Sequence, residues 1–361
     1  MATSLLMPRL QARISDGPGR GRGFGVFAWL TSLAAILWGG TGCATQGLAP
    51  TEPALPRSTS YLKAEGPAGG ERALRIACRR LTSPRFPGQT LWLAGASHIG
   101  SPEYYRELQQ LLDAQGVVLF EGVRATEHSN GSGGMEDKEA LENSLQGAIA
   151  GSLGLVFQLV AVDYSRAHFR NSDLSIPELQ RLVQKSLASP RADESDQEAG
   201  VQFSVLMQAL DGQSWLNGVA RVLLGFIHAA PKLQALAKMT LIEVMGRVAG
   251  DLDSLAGGNP AMKKLLAILV DARNQRVVED LRRVLEHREG TRGVAIFYGA
   301  AHMTDFEARL ERQLGFRPRE ERWLTAFAVD PHGAGLGPEE ERMVKSLVDW
   351  QMEALGQKPA K

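Results

Sequence analysis

Two segments far apart in the chain follow one pattern, and together they narrow the possible folds more than any other feature. Leu91-Trp92-Leu93-Ala94-Gly95-Ala96-Ser97-His98 and Val294-Ala295-Ile296-Phe297-Tyr298-Gly299-Ala300-Ala301-His302 are each an apolar run, then Gly-Ala-x-His, then a helix start. A short uninterrupted apolar run that stops at a glycine reads as a strand buried on both faces, the kind found in the parallel sheets of α/β proteins. The motif alone is weak. With 39 Gly and 7 His in 361 residues, chance supplies roughly one Gly-x-x-His per chain. Gly225-Phe226-Ile227-His228 is such a match, set in an apolar helical run, and His228 reads as a core residue. The other two histidines leave the carboxyl ends of strands, where open α/β sheets bind their ligands.

The segments around the first copy extend the same fold class. Leu74 to Cys78 alternates and is expected to pair with the Thr90–Ala94 strand as a hairpin across Pro84, Pro87 and Gly88. After His98, Ser101 is a suitable N-cap and Pro102 a suitable first helical residue. Tyr105, Leu108, Leu111 and Leu112 recur at helical spacing, with Gly116 placed as a C-terminal cap. Val117 to Phe120 is a second apolar strand, ending at Glu121-Gly122. A strand–helix–strand unit predicts parallel neighbours, with His98 and Glu121 on one sheet edge.

From about 137 to 290 the periodicity is mostly helical, over about 138–162, 176–188, 200–210, 215–249 and 261–287, with breaks at Pro190, Gly212 and Gly257 to Pro260. The α/β pattern then returns with the 294–298 strand. Thr304 with Glu307 reads as a capping box, Gly315 as a C-terminal cap, and Glu321 to Val329 as a closing strand. A Gly/Pro tail over 331–361 holds an amphipathic helix at about 338–355. The expected fold is therefore α/β: a mixed, largely parallel sheet flanked by helices, with a large helical insertion between two strand–Gly-x-x-His–helix units.

Composition removes several function classes. Forty basic and forty acidic side chains leave no electrostatic case for nucleic acid, and no basic stripe is interleaved with aromatics. Cys43 and Cys78 alone make neither a disulfide framework nor a cysteine-rich zinc site. The N-terminus reads as targeting: Arg9, Arg13, Arg20 and Arg22 precede an uncharged apolar run, Phe24 to Trp38, of signal-peptide length and short for a spanning helix. Gly39-Gly40-Thr41-Gly42-Cys43 resembles a bacterial lipobox, with Cys43 lipidated, although Gly40 departs from the usual aliphatic residue; the other reading is an uncleaved anchor. Residues 1–43 are thus expected to be a signal peptide, 44–71 a flexible tether, and 72–330 the folded body on the exported side of a bacterial membrane.

The order Gly95-x-x-His98, Glu121-Gly122, Gly299-x-x-His302 resembles the TraB family, which includes GumN-type and TIKI-type proteins. Gln158 to Asp173 is similar to a central block of its bacterial members, and Arg273-Asn274 to an Arg-Asn on the helix before their last Gly-x-x-His strand. The resemblance covers about 72–330. It implies a sheet with a helical insertion, shared with erythromycin esterases and ChaN-like haem-binding proteins; TIKI-type members are membrane-tethered, metal-dependent peptidases.

Residue chemistry is compatible with that. Two neutral imidazoles, His98 and His302, with the carboxylate of Glu121 form a ligand set for a catalytic divalent metal such as Mn, Co or Zn, with positions left for water. Gly95 and Gly299 permit a tight turn or close approach of substrate. Arg273 is expected to clamp a substrate carboxylate or oxyanion, or to pair with Glu279 or Asp280 on its own helix. Asp163 is expected either to orient a ligand histidine or to cap a helix end. Gln158, Tyr164, His168 and Asn274 are weaker candidates. Three functions follow: a metal-dependent, peptidase-like hydrolase acting on a peptide or small-molecule substrate; a metal-free hydrolase in which histidine and glutamate act as general bases; and a non-catalytic binder of haem or peptide.

Overall fold

The computed structural model describes residues 60–67, 70–122, 142, 144–187, 196–203, 224–225, 227–248, 259–289 and 292–354. The chain divides at Thr51/Glu52 into two units. The first, on which the expected signal segment and Cys43 fall, lies outside the described residues, and the second carries the fold. Among the described residues no helix is long and apolar enough to cross a membrane.

The fold is α/β, built on a mixed, largely parallel seven-stranded sheet. Its strands are β1 (Leu62–Glu65), β2 (Arg72–Thr82), β3 (Thr90–Ala96), β5 (Val117–Phe120), β7 (Phe169–Asn171), β8 (Val294–Gly299) and β9 (Arg317–Val329). Two short strands, β4 (Ile99–Gly100) and β6 (Val156–Phe157), pair separately. The main path runs β1-β2-β3-β8-β5-β7, with β9 on β2. The expected hairpin forms, with Cys78 opposite Ala94. Cys78 is fully buried, and burial pushes its thiol up to about 12, which makes it chemically inert.

One expectation is corrected at the centre of the sheet. The strands ending at His98 and Glu121 are not neighbours, because β8 lies between them, parallel to both. All six β8 residues are buried, so burial on both faces favours the central slot. A crossover from β3 through α1 (Pro102–Asp113) leaves that slot open, and the late strand fills it. Ser101 caps α1 as expected, accepting from the Tyr104 N–H at 3.2 Å.

The tether boundary is corrected too. Residues 62–65 form β1 rather than slack chain, because Tyr61 and Leu62 are buried. Tyr61 donates to Glu307 at 2.5 Å and lies under the Arg79 guanidinium, 4.0 Å from its ring centroid. Arg79 is itself buried and pairs with Glu307 and Glu321, so one polar cluster joins β1, β2, β9 and the helix after β8.

The insertion is helical in α2 (Leu145–Ser152), α3 (Gln158–Ala161), α4 (Ile176–Leu187), α5 (Pro231–Val248) and α6 (Pro260–Glu286). Its first expected helix is interrupted. Gly154 takes φ +61° and turns the chain, β6 pairs with β4, and β7 returns to the main sheet beside β5. Leu174, Leu179, Val183, Phe203 and Leu265 form a small second core. His228 is exposed rather than buried, its ring bonded to the Gly151 carbonyl. The helices α7 (Ala300–Leu314) and α8 (Pro338–Ala354) complete the chain.

Candidate functional site

Four parallel strands end at one rim, and three of them are followed there by polar side chains, while the fourth ends on a glycine that leads into the helix of His302. His98 follows β3, Glu121 follows β5, Gly299 ends β8, and Ser172-Asp173 follows β7. Registers make this close: Ala96 is opposite Gly299, and Phe120 opposite Phe297, with the Glu121 N–H donating to the Phe297 carbonyl at 3.0 Å.

The two histidines are presented differently. His98 sits in the loop between β3 and β4 and is exposed. His302 lies in the first turn of α7, which begins straight off β8 with Gly299 as N-cap, and is 7% exposed. That early start corrects the capping box: Thr304 is inside the helix, and Glu307 is taken by Arg79 and Tyr61.

A Cβ placed on Gly299 would stand 3.3 Å from Glu121 Oε2, 3.8 Å from His98 Nε2 and 3.9 Å from His302 Cδ2. The three expected site residues therefore surround one point. Gly299 has φ −50°, so its value there is space rather than backbone freedom. Gly95 serves differently: a Cβ on it would lie 2.9 Å from the Ala77 carbonyl oxygen and 3.0 Å from the Ile76 side chain. It lets β2 and β3 pack, and takes no direct part in the site.

Glu121 is ionised and anchored. Oε1 accepts from Arg273 Nη2 at 2.6 Å and Oε2 from the Gly299 N–H at 2.7 Å. Burial pushes its carboxyl up, but the facing His302, Arg273, His98 and the Gly299 N–H more than reverse this, bringing it to about 2. His302 Nε2 stands 3.9 Å from Glu121 Oε1. Burial dominates at His302 and lowers its pKa despite the pull of Glu121, which favours the neutral ring.

Arg273 pairs neither with Glu279 nor with Asp280. It reaches across the rim to Glu121 and makes a bidentate pair with Asp173, Nε to Oδ1 at 2.8 Å and Nη2 to Oδ2 at 2.7 Å. Asp173, whose side chain is fully buried, also accepts the N–H groups of Gly122 and Leu174. Two carboxylates against one guanidinium leave one excess negative charge beside two imidazoles, a setting that favours a cation or a proton.

Asp163 is corrected. Its side chain is 46% exposed, and it accepts from the Ser165 N–H and pairs with Arg166, as a turn cap does. The groups that touch the histidine rings are amides. Gln158 Oε1 lies 3.2 Å from His98 Nδ1, and Gln158 Nε2 donates to the Tyr164 hydroxyl at 2.9 Å. Asn274 Oδ1 lies 2.7 Å from His302 Nδ1. His168 stands instead at Asp113, 3.9 Å away. Asp173 went unanticipated because β7 has three residues, too few to show periodicity inside a helical region; its signal is the position just past a short strand.

Comparison of the chain with protein-family models, with curated proteins and with solved structures finds no match.

Proposed function

We propose that the chain is an exported, membrane-tethered hydrolase of the TraB type, peptidase-like and assisted by a divalent metal. Cys43 would be its lipid attachment point at the bacterial cell envelope. One observation carries the catalytic reading: two imidazole rings and an ionised carboxylate, delivered from the ends of β3 and β5 and from the first turn of α7, surround the bare face of Gly299.

The donor types, two imidazoles and a carboxylate, match a divalent ion such as Mn, Co or Zn. The side chains would have to draw together to hold it, since as they stand among the described residues they form no metal-holding group. His98, His302 and Glu121 would hold it, and the excess negative charge of the Glu121–Arg273–Asp173 group offsets part of its charge. The 3.9 Å between His302 Nε2 and Glu121 Oε1 is within the roughly 4.2 Å that two ligands about 2.1 Å from one ion can span. A bound metal supplies an activated water and polarises a carbonyl. The chain's own residues orient the ligands: Arg273 and the Gly299 N–H hold Glu121, and His98 faces the solvent side from which substrate arrives.

A second reading rests on a specific observation. Both Glu121 oxygens already accept hydrogen bonds, and among the described residues no three His, Cys, Asp or Glu side chains stand at metal-ligand separations. Without metal, neutral His302 takes a proton from water through Nε2, and the resulting hydroxide attacks the carbonyl. Glu121 then stabilises the imidazolium, which returns the proton to the leaving group.

The test is elemental analysis of protein purified without a histidine tag, beside His302→Ala. Stoichiometric divalent metal that disappears in the variant is expected. Absence of metal from both overturns the metal-assisted reading, and hydrolysis that survives exhaustive chelation selects the metal-free one.

A further inference from the structure

We propose that Asn274 and Gln158 are positioning residues whose side-chain oxygens fix His302 and His98 as Nδ1–H tautomers, aiming both Nε2 lone pairs at the site. This rests on the reading of His98, Glu121 and His302 as the functional centre.

Asn274 is fully buried on α6 and joins two partners of opposite demand. Its Nδ2 donates to Asp305 Oδ2 at 2.8 Å, and that carboxylate also accepts from Arg309. A carboxylate paired with a guanidinium only accepts, so the amide NH2 must face it. The amide oxygen is thereby turned to His302, 2.7 Å from Nδ1. An amide oxygen only accepts as well, so the hydrogen is on Nδ1 and Nε2 keeps its lone pair. Orientation thus passes from Arg309 through Asp305 and Asn274 to the imidazole, every link set by donor and acceptor inventory.

Gln158 also turns its amide oxygen to the exposed histidine, here by placement rather than by inventory, because the Tyr164 hydroxyl can donate as well as accept. Its Nε2 donates to Tyr164 and its Oε1 meets His98 Nδ1 at 3.2 Å. The Gln158 backbone N–H also donates to the His98 carbonyl at 2.8 Å, beside the β4–β6 pair. One residue therefore holds both the backbone and the ring of His98. Histidines that act through one nitrogen commonly have the other held by a carboxylate or carbonyl. A neutral amide sets the tautomer without adding negative charge to a rim that already carries an excess.

The test is nitrogen NMR of the full chain labelled with 15N in its histidine rings, read without substrate. His98 and His302 signals are assigned from His98→Gln and His302→Gln. Both rings are expected as Nδ1–H tautomers, against the Nε2–H form that free imidazole side chains favour in water. In Asn274→Ala, His302 shifts to Nε2–H or a mixture while His98 is unchanged; Gln158→Ala does the reverse. Asn274→Asp combined with Asp305→Asn, which restores a donor–acceptor pair in the opposite sense, returns His302 to Nδ1–H. Should Asn274→Ala not fold, the Gln158→Ala arm decides on its own. Nε2–H in the unaltered chain, or Nδ1–H persisting in a folded variant lacking its amide, overturns the proposal. Nδ1–H rings in a protein that hydrolyses nothing would sink the proposed function and leave this assignment standing.

Discussion

Glu121 shows how one carboxylate can be both ionised and buried. Its two oxygens are occupied by Arg273 and the Gly299 N–H, and its folded pKa is brought from near 4.5 to about 2. A depressed carboxylate stabilises the folded state above its unfolded pKa, and that contribution is lost as pH falls through the folded one. Unfolding free energy is therefore expected to drop on the order of 3 kcal/mol between about pH 4.5 and pH 2 from this group. Urea titrations across that range measure it, and Glu121→Gln should flatten this part of the profile. Arg273 joins two buried carboxylates, so Arg273→Met leaves both without a cation. The expected loss is about 3–5 kcal/mol, read as a lower urea midpoint; a loss under about 0.5 kcal/mol would contradict the ion-pair assignment.

The two strand–Gly-x-x-His–helix elements look alike in sequence and differ in the fold. The first places a strand pair and an N-capped helix after its histidine, leaving His98 at the surface; the second runs directly into α7 and buries His302. Their glycines separate in the same way. Gly95→Ala drives a methyl to within 2.9 Å of the Ala77 carbonyl and should cost about 1–3 kcal/mol, with the rim chemistry intact in the folded fraction. Gly299→Ala meets Glu121 Oε2 at 3.3 Å, a gap that small side-chain shifts relieve. Stability should hold while metal affinity or hydrolysis falls on the order of tenfold or more. Equal effects of the two substitutions on stability would refute this division. Gly315 is the glycine whose backbone matters: at φ +73° it caps α7, as its place after Leu314 suggests.

At the scale of the molecule, the sheet is closed by a segment that resembles a linker in composition. Tyr61 and Leu62 bury their side chains, and Tyr61 completes the Arg79–Glu307–Glu321 cluster. A chain begun at Glu71 should unfold at lower urea than one begun at Ser60, by on the order of 3 kcal/mol, the scale of losing one buried aromatic. Indistinguishable midpoints would show that β1 is dispensable.

Apolar runs and their punctuation were enough to foresee the α/β class, the hairpin, the Ser101 cap, and the meeting of His98, Glu121 and His302 at one edge. Those features depend on short-range patterning, and a parallel sheet places the carboxyl ends of its strands together whatever their order. Strand order itself was decided by tertiary packing. β8 lies between β3 and β5 because the centre of the sheet is where a strand apolar on both faces loses most contact with water. Partner choice was decided there as well. Arg273 finds Asp173 and Glu121 instead of its helix neighbours, and amides rather than Asp163 hold the imidazoles. A side chain's partner depends on which segments the sheet brings within about 3 Å of it, a distance no spacing along the chain records.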